Sequence, residues 1–199
     1  MRHRLAFLIS RVFGPLPLLC LLWLATAFKS GIGFWKALWV YPLLFIVEIA
    51  IPFAITTLII FKSRGRVNIE WSNINDRKIF APIILFFWTI ALIGVWYLTN
   101  NTIFHLSLLA GLLTISAFII TLVFHFKISL HMMAASGVFW GVNFLTHFNY
   151  WWLFLLLIPI VWARKTLKVH TLTELIGGLI LANSLIILAT LLFGWPKVP

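Results

Sequence analysis

The stretch "WARKTLKVHTLTEL", residues 162–175, sets Arg164, His170 and Glu174 at the junction of two long apolar runs. Ionisable groups so close to lipid are costly, and the default reading of such residues is a function. On a helix the i, i+4 spacing of His170 and Glu174 lets the carboxylate reach the imidazole. A second group lies in "FKISLHMMAASG", residues 126–137. Here Lys127 and His131 are spaced to share one side of a helix, with Ser129 close by where the first turn is extended. Together these residue types suit phosphoryl transfer to a histidine. A neutral imidazole attacks phosphorus, and a carboxylate holds its tautomer. Fixed cations and a hydroxyl grip the phosphoryl oxygens, and a second imidazole protonates the departing alkoxide. That chemistry requires neither a metal nor another cofactor.

At these positions the sequence resembles the type 2 phosphatidic-acid phosphatase superfamily, whose later motifs read P-S-G-H and S-R-x-x-x-x-x-H-x-x-x-D. The last motif is matched by Ala163-Arg164, five intervening residues, His170, three more and Glu174; the middle one by Ile128-Ser129-Leu130-His131. The "K-I-S-x-H" form and the upstream "NDRKIFAP" at 75–82 are most similar to a small bacterial membrane branch of that superfamily. The resemblance implies His170 as nucleophile, Glu174 as its orienting acid and His131 as general acid. It further implies Arg164 and Ser129 as phosphate ligands, with Lys127, Arg77 and Lys78 as added positive charge. Its catalytic-motif region covers residues 75–193. Ile128 and Leu130 stand where the superfamily has Pro and Gly, and the first motif, K-x-x-x-x-x-x-R-P, is absent as written; Arg77 and Lys78 ahead of Pro82 are a shifted substitute.

The elements that must position these groups follow from hydropathy. The 199 residues are 63% hydrophobic and 10% charged, with mean hydropathy +1.09. Soluble domains carry about a quarter charged residues, so an integral membrane protein is expected. Seven apolar segments are legible, at 13–28, 40–61, 79–98, 104–124, 129–146, 150–164 and 171–193. The longest match the roughly 20 residues that a helix needs to cross a bilayer core about 30 Å thick. The expectation is an all-α, polytopic transmembrane bundle of six to seven segments forming a single membrane domain, residues 1–199. A polar loop at 62–78 interrupts it. The first segment, broken by Arg11, Pro15 and Pro17, reads as an uncleaved, kinked or re-entrant piece in place of a signal peptide.

If every segment crosses, all Lys and Arg except Lys29, Lys36 and Lys197 collect on one face. Trp35, Trp39, Tyr41, Trp96, Tyr97, Tyr150, Trp151, Trp152 and Trp195 collect on the other. That is a basic rim opposite an aromatic belt. The formal charge of +11 then reflects topology and anionic lipid, and no nucleic-acid partner is expected. The charge bias puts the motif face in the cytoplasm, whereas many superfamily members act on the outer face.

Plainer roles suit several polar residues. Lys165 and Lys168 read as topology charges; His105, His125 and His147 as interfacial residues; Cys20 as a small core residue. Asn143 and Asn183 read as interhelical hydrogen-bond formers, and "GGLILANS" at 177–184 as a close-packing patch. A metal on His170 and Glu174 lacks further ligands in the sequence. Glu48, mid-span beside Pro52, is a candidate without an assigned role. The function expected is a lipid-phosphate phosphatase of a bacterial inner or plasma membrane, with a phospholipid or polyprenol phosphate as substrate and membrane lipids as surroundings. The alternatives are a degenerate relative that binds anionic lipid or a protein partner without turnover, and a small proton-coupled transporter built on Glu48 and the histidines.

Overall fold

The computed structural model describes residues 1–29, 31–63, 74–99 and 101–193. Helix α1 spans Arg2–Val12 and α2 Pro15–Lys29. Helix α3, Phe34–Phe45, runs through a π turn at Ile46–Ala50 into α4, Ile51–Lys62. Then come α5, Ile74–Leu98; α6, Asn101–Val123; and α7, Leu130–Leu145. A 3₁₀ turn at Trp151–Leu156 leads into α8, Leu157–Thr166, and α9 covers Leu172–Phe193. The described residues are all-helical, with no strand. Most of loop 62–78, together with Trp195 and Lys197, lies outside them.

Four helical stretches are long and apolar enough to cross a membrane: Phe34–Lys62, Ile74–Leu98, Thr102–Val123 and Leu172–Leu192. The α1–α2 pair, bent by 42°, makes five if it is one broken span. The bend follows from Gly14 and Pro15, since a proline at the start of α2 has no N–H with which to continue α1. Large apolar side chains such as Leu24, Phe28, Ile180 and Leu191 face outward, as lipid contact requires. Among the expected belt residues, Trp35, Trp39, Trp96, Tyr97, Tyr150, Trp151 and Trp152 are exposed.

The chain divides into two compact units, residues 1–31 with 128–199, and residues 32–127. In the first, α7 is the central helix, packed on α2, α8 and α9, while α1 lies along α8. The buried side of α7 includes the small residues Ala135, Ser136 and Gly141 among larger apolar ones, and Gly178 and Ala182 are buried small residues of α9. Close helix approach of this kind is the usual membrane solution where lipid removes the hydrophobic drive between helices. Gly178 makes it compulsory, because a Cβ there would stand 2.8 Å from the Ser129 carbonyl oxygen. Trp140 Nε1 donates to Asn183 Oδ1 at 2.7 Å across the α7–α9 interface. Asn143 instead caps its own end of the helix, donating to the carbonyls of Phe139 and Tyr150.

In the second unit α5 and α6 pair along their length, and the π turn packs on α5. The π turn has a local cause. Pro52 has no N–H to offer the Glu48 carbonyl four residues back and its ring crowds that oxygen, so the helix widens by one residue over Ile46–Ala50.

Candidate functional site

Helix α8 ends in a turn that aims His170. Its last residues form a complete Schellman motif. Val169 N donates to Arg164 O at 3.3 Å and Lys168 N to Lys165 O at 3.0 Å, with Lys168 in the left-handed region at φ 55°. The six-residue step from Arg164 to His170 is therefore one tight reversal. Lys165 and Lys168 point outward on it, as topology charges would.

Helix α9 begins with a reciprocal cap. Glu174 N donates to Thr171 Oγ1 at 3.3 Å, and Thr171 N donates to Glu174 Oε2 at 3.1 Å. The same carboxylate oxygen lies 2.8 Å from His170 Nδ1. Glu174 thus does two jobs, closing the helix start and engaging the imidazole. A carboxylate accepts, so Nδ1 carries the proton and Nε2 is left with its lone pair whenever His170 is neutral. His170 is 8% exposed.

Backbone contact joins the two motifs. Ser129 N donates to Glu174 O at 3.2 Å, at the point where Gly178 admits α7 against α9. Ser129 sits at the N-cap position of α7 with extended backbone, φ −76° and ψ 106°. Its hydroxyl does not cap the helix. It is fully buried and has no hydrogen-bond partner among the described residues. Leu130 starts the helix with ordinary backbone, directly after the extended Ser129.

Arg164 and His131 meet at α1. Arg164, 1% exposed, donates from Nη1 to Ser10 Oγ at 2.6 Å. His131 Nε2 lies 3.2 Å from the Ser10 carbonyl oxygen, which can only accept, so that nitrogen carries a proton. His131 is also within electrostatic reach of Arg164, His170 and Arg11. Charge-assisted bonds such as that of Arg164 are about twice as strong as neutral ones and fix a long, flexible side chain.

The first unit therefore brings together Arg164, His131, His170, Glu174 and Ser129. Lys127, Arg77 and Lys78 belong to the second. Lys127 lies on a non-helical stretch, residues 125–129, before α7 starts, so the shared helical side expected for Lys127 and His131 does not form. The residue before a helix start cannot lie on its face. Arg77 is 1% exposed and donates from Nη1 to Thr121 Oγ1 on α6 at 2.8 Å, while Lys78 is exposed. Sequence reasoning missed Ser10. The signal for it was modest: Ala6 and Ser10 are two small residues one turn apart among large apolar ones, and they are the buried side of α1. Among the described residues no three His, Cys, Asp or Glu side chains are grouped to hold a metal ion.

No protein-family model, curated protein or solved structure matches this chain.

Proposed function

We propose that the chain is a membrane lipid-phosphate phosphatase of the type 2 phosphatidic-acid phosphatase kind, working through a phosphohistidine. In this reading α7 and the α8 region complete a bundle of six to seven membrane segments in a bacterial inner or plasma membrane. The observation that carries it is the His170–Glu174 pair at 2.8 Å, bonded through the Glu174 carbonyl to Ser129 and adjoined by Arg164 and His131, which share Ser10.

The reaction starts with a phosphate monoester or diphosphate whose tail stays in the bilayer. Arg164 and the Ser129 hydroxyl take the phosphoryl oxygens. His170 Nε2 attacks phosphorus, the N–P bond forms, and the bond to the lipid oxygen breaks. His131, having taken a second proton on Nδ1 as the phosphate dianion binds, gives its Nε2 proton to that oxygen, exchanging the Ser10 carbonyl for the leaving group and ending as neutral imidazole. Glu174 stabilises the imidazolium that develops. Water then attacks phosphorus, His131 accepts its proton, the N–P bond breaks, and inorganic phosphate leaves with His170 restored.

A phosphate-release assay on purified protein tests this, with phosphatidate, phosphatidylglycerophosphate and polyprenyl diphosphate as substrates. Release from one of them, lost in His170→Ala, is expected; no release from any would overturn the reading. A second reading, a relative that binds anionic lipid without turnover, is favoured by one observation: Ser10 already engages both Arg164 and His131. It predicts vesicle binding that depends on Arg164, with no phosphate released.

A further inference from the structure

Ser10 belongs to none of the motifs, yet it touches two of the residues they contain. It lies on α1, 4% exposed, and 154 positions separate it from Arg164. A serine within a helix commonly turns its hydroxyl back to a carbonyl of the preceding turn. Ser10 does not: its Oγ accepts from Arg164 Nη1, and its carbonyl accepts from His131 Nε2. A hydroxyl has one proton and two acceptor lone pairs. Receiving Arg164 occupies a lone pair and leaves the proton, for which no acceptor stands among the described residues. The Ser129 hydroxyl, at the start of the helix that carries His131, is likewise without a partner among them.

We propose that Ser10 is a positioning residue of the phosphate site: its Oγ anchors the Arg164 guanidinium, and its own O–H is left to donate to the same phosphate oxygen. The inference rests on the reading that this site takes a phosphate. It makes α1 a component of the site, in addition to its role as the first arm of a bent span. Arginine is long and rotatable, and a short tether to a helix packed along α8 restrains its charge. The His131 contact is to backbone, so replacing the side chain isolates the hydroxyl.

The test compares the full chain in detergent with Ser10→Ala and Ser10→Thr. The readouts are lipid-phosphate turnover, equilibrium binding of radiolabelled inorganic phosphate, and melting temperature. Ser10→Ala should lower kcat/KM and weaken phosphate binding in parallel, each by about tenfold or more, the scale of a lost hydrogen bond to a charged group. Ser10→Thr, which keeps the hydroxyl, should recover most of both. A Ser10→Ala protein that melts lower but keeps wild-type kcat/KM and phosphate affinity overturns the proposal, leaving Ser10 as a structural tie. If wild type turns over no lipid phosphate, the phosphatase reading fails by itself, and phosphate binding then decides Ser10. Weaker binding in Ser10→Ala supports its role; equal binding in the two proteins, or none by wild type, overturns it.

Discussion

Arg164 and Arg77 are both 1% exposed, and each gives one Nη1–H to a hydroxyl on another helix, Ser10 in one case and Thr121 in the other. The resemblance ends there. Arg77 follows Asp76 in the chain, itself buried at 5%, at the start of a helix whose neighbour supplies the threonine. Arg164 closes α8, and the residue that holds it also holds His131, while the turn it begins delivers His170 to a carboxylate. Burying a guanidinium is costly unless it is hydrogen-bonded, and each site supplies a hydroxyl to one Nη1, although Arg164 Nε is buried with no hydrogen-bond partner among the described residues. Burial alone therefore does not single out a reactive arginine. What distinguishes the first unit is a cation from α8, imidazoles from α7 and from the turn after α8, and a carboxylate from α9, with Ser10 of α1 joining two of them.

The strongest way to break this contrast is at its centre. His170→Ala should lower phosphate release by at least about 10³-fold, since no other group replaces a lost nucleophile. Measuring release at equal amounts of folded protein checks it. Arg164→Ala should cost about 10²- to 10³-fold in kcat/KM, the scale found for donors that stabilise a developing oxyanion. Arg77→Ala should act first on stability, by about 1–3 kcal/mol for the Thr121 hydroxyl it leaves unsatisfied, with a smaller loss of kcat/KM than Arg164→Ala. Equal activity losses in the two variants would dissolve the distinction.

The remaining tests sharpen it. Glu174→Gln keeps a side-chain acceptor for the Thr171 N–H but removes the negative charge beside His170. Activity should fall by about 10²-fold or less, within the range of general acid–base assistance, with a change of no more than about 1 kcal/mol in stability. Thermal unfolding alongside turnover separates the two effects. Gly178→Ala drives a methyl against the Ser129 carbonyl at 2.8 Å and should destabilise by about 1–3 kcal/mol, moving α7 off α9 and lowering turnover with it. The mildest is Lys168→Gly. It relieves a left-handed non-glycine backbone, and should shift stability by up to about 1 kcal/mol upward while turnover stays at the wild-type level.

Hydropathy alone marked out the helices. The apolar segments at 79–98, 104–124, 129–146 and 171–193 correspond to α5, α6, α7 and α9 within a few residues. Backbone groups in lipid must bond within their own helix, so a long apolar run has little alternative to being helical. The π turn at Ile46–Ala50, just ahead of Pro52, did not follow from hydropathy, which reads 40–61 as one uninterrupted segment. The weakest signals were the short ones. The 3₁₀ turn at Trp151–Leu156 carries no breaker residue, and α1 is interrupted by charge, so neither stands out as a helix of its own in a hydropathy reading.

Local chemistry determined as much of the site as lies within one turn of chain. The i, i+4 spacing of His170 and Glu174 and the reversal between Arg164 and His170 are short-range geometry, which is why residue types and spacing were enough to find them. Ser10 on Arg164 and the Ser129 amide on the Glu174 carbonyl depend on how helices distant in sequence pack. Only the tertiary structure decided these. Helix periodicity says which side of each helix is apolar, but lipid is as apolar as a neighbouring helix, so the choice of partner falls to small residues and single hydrogen bonds that leave almost no trace in composition.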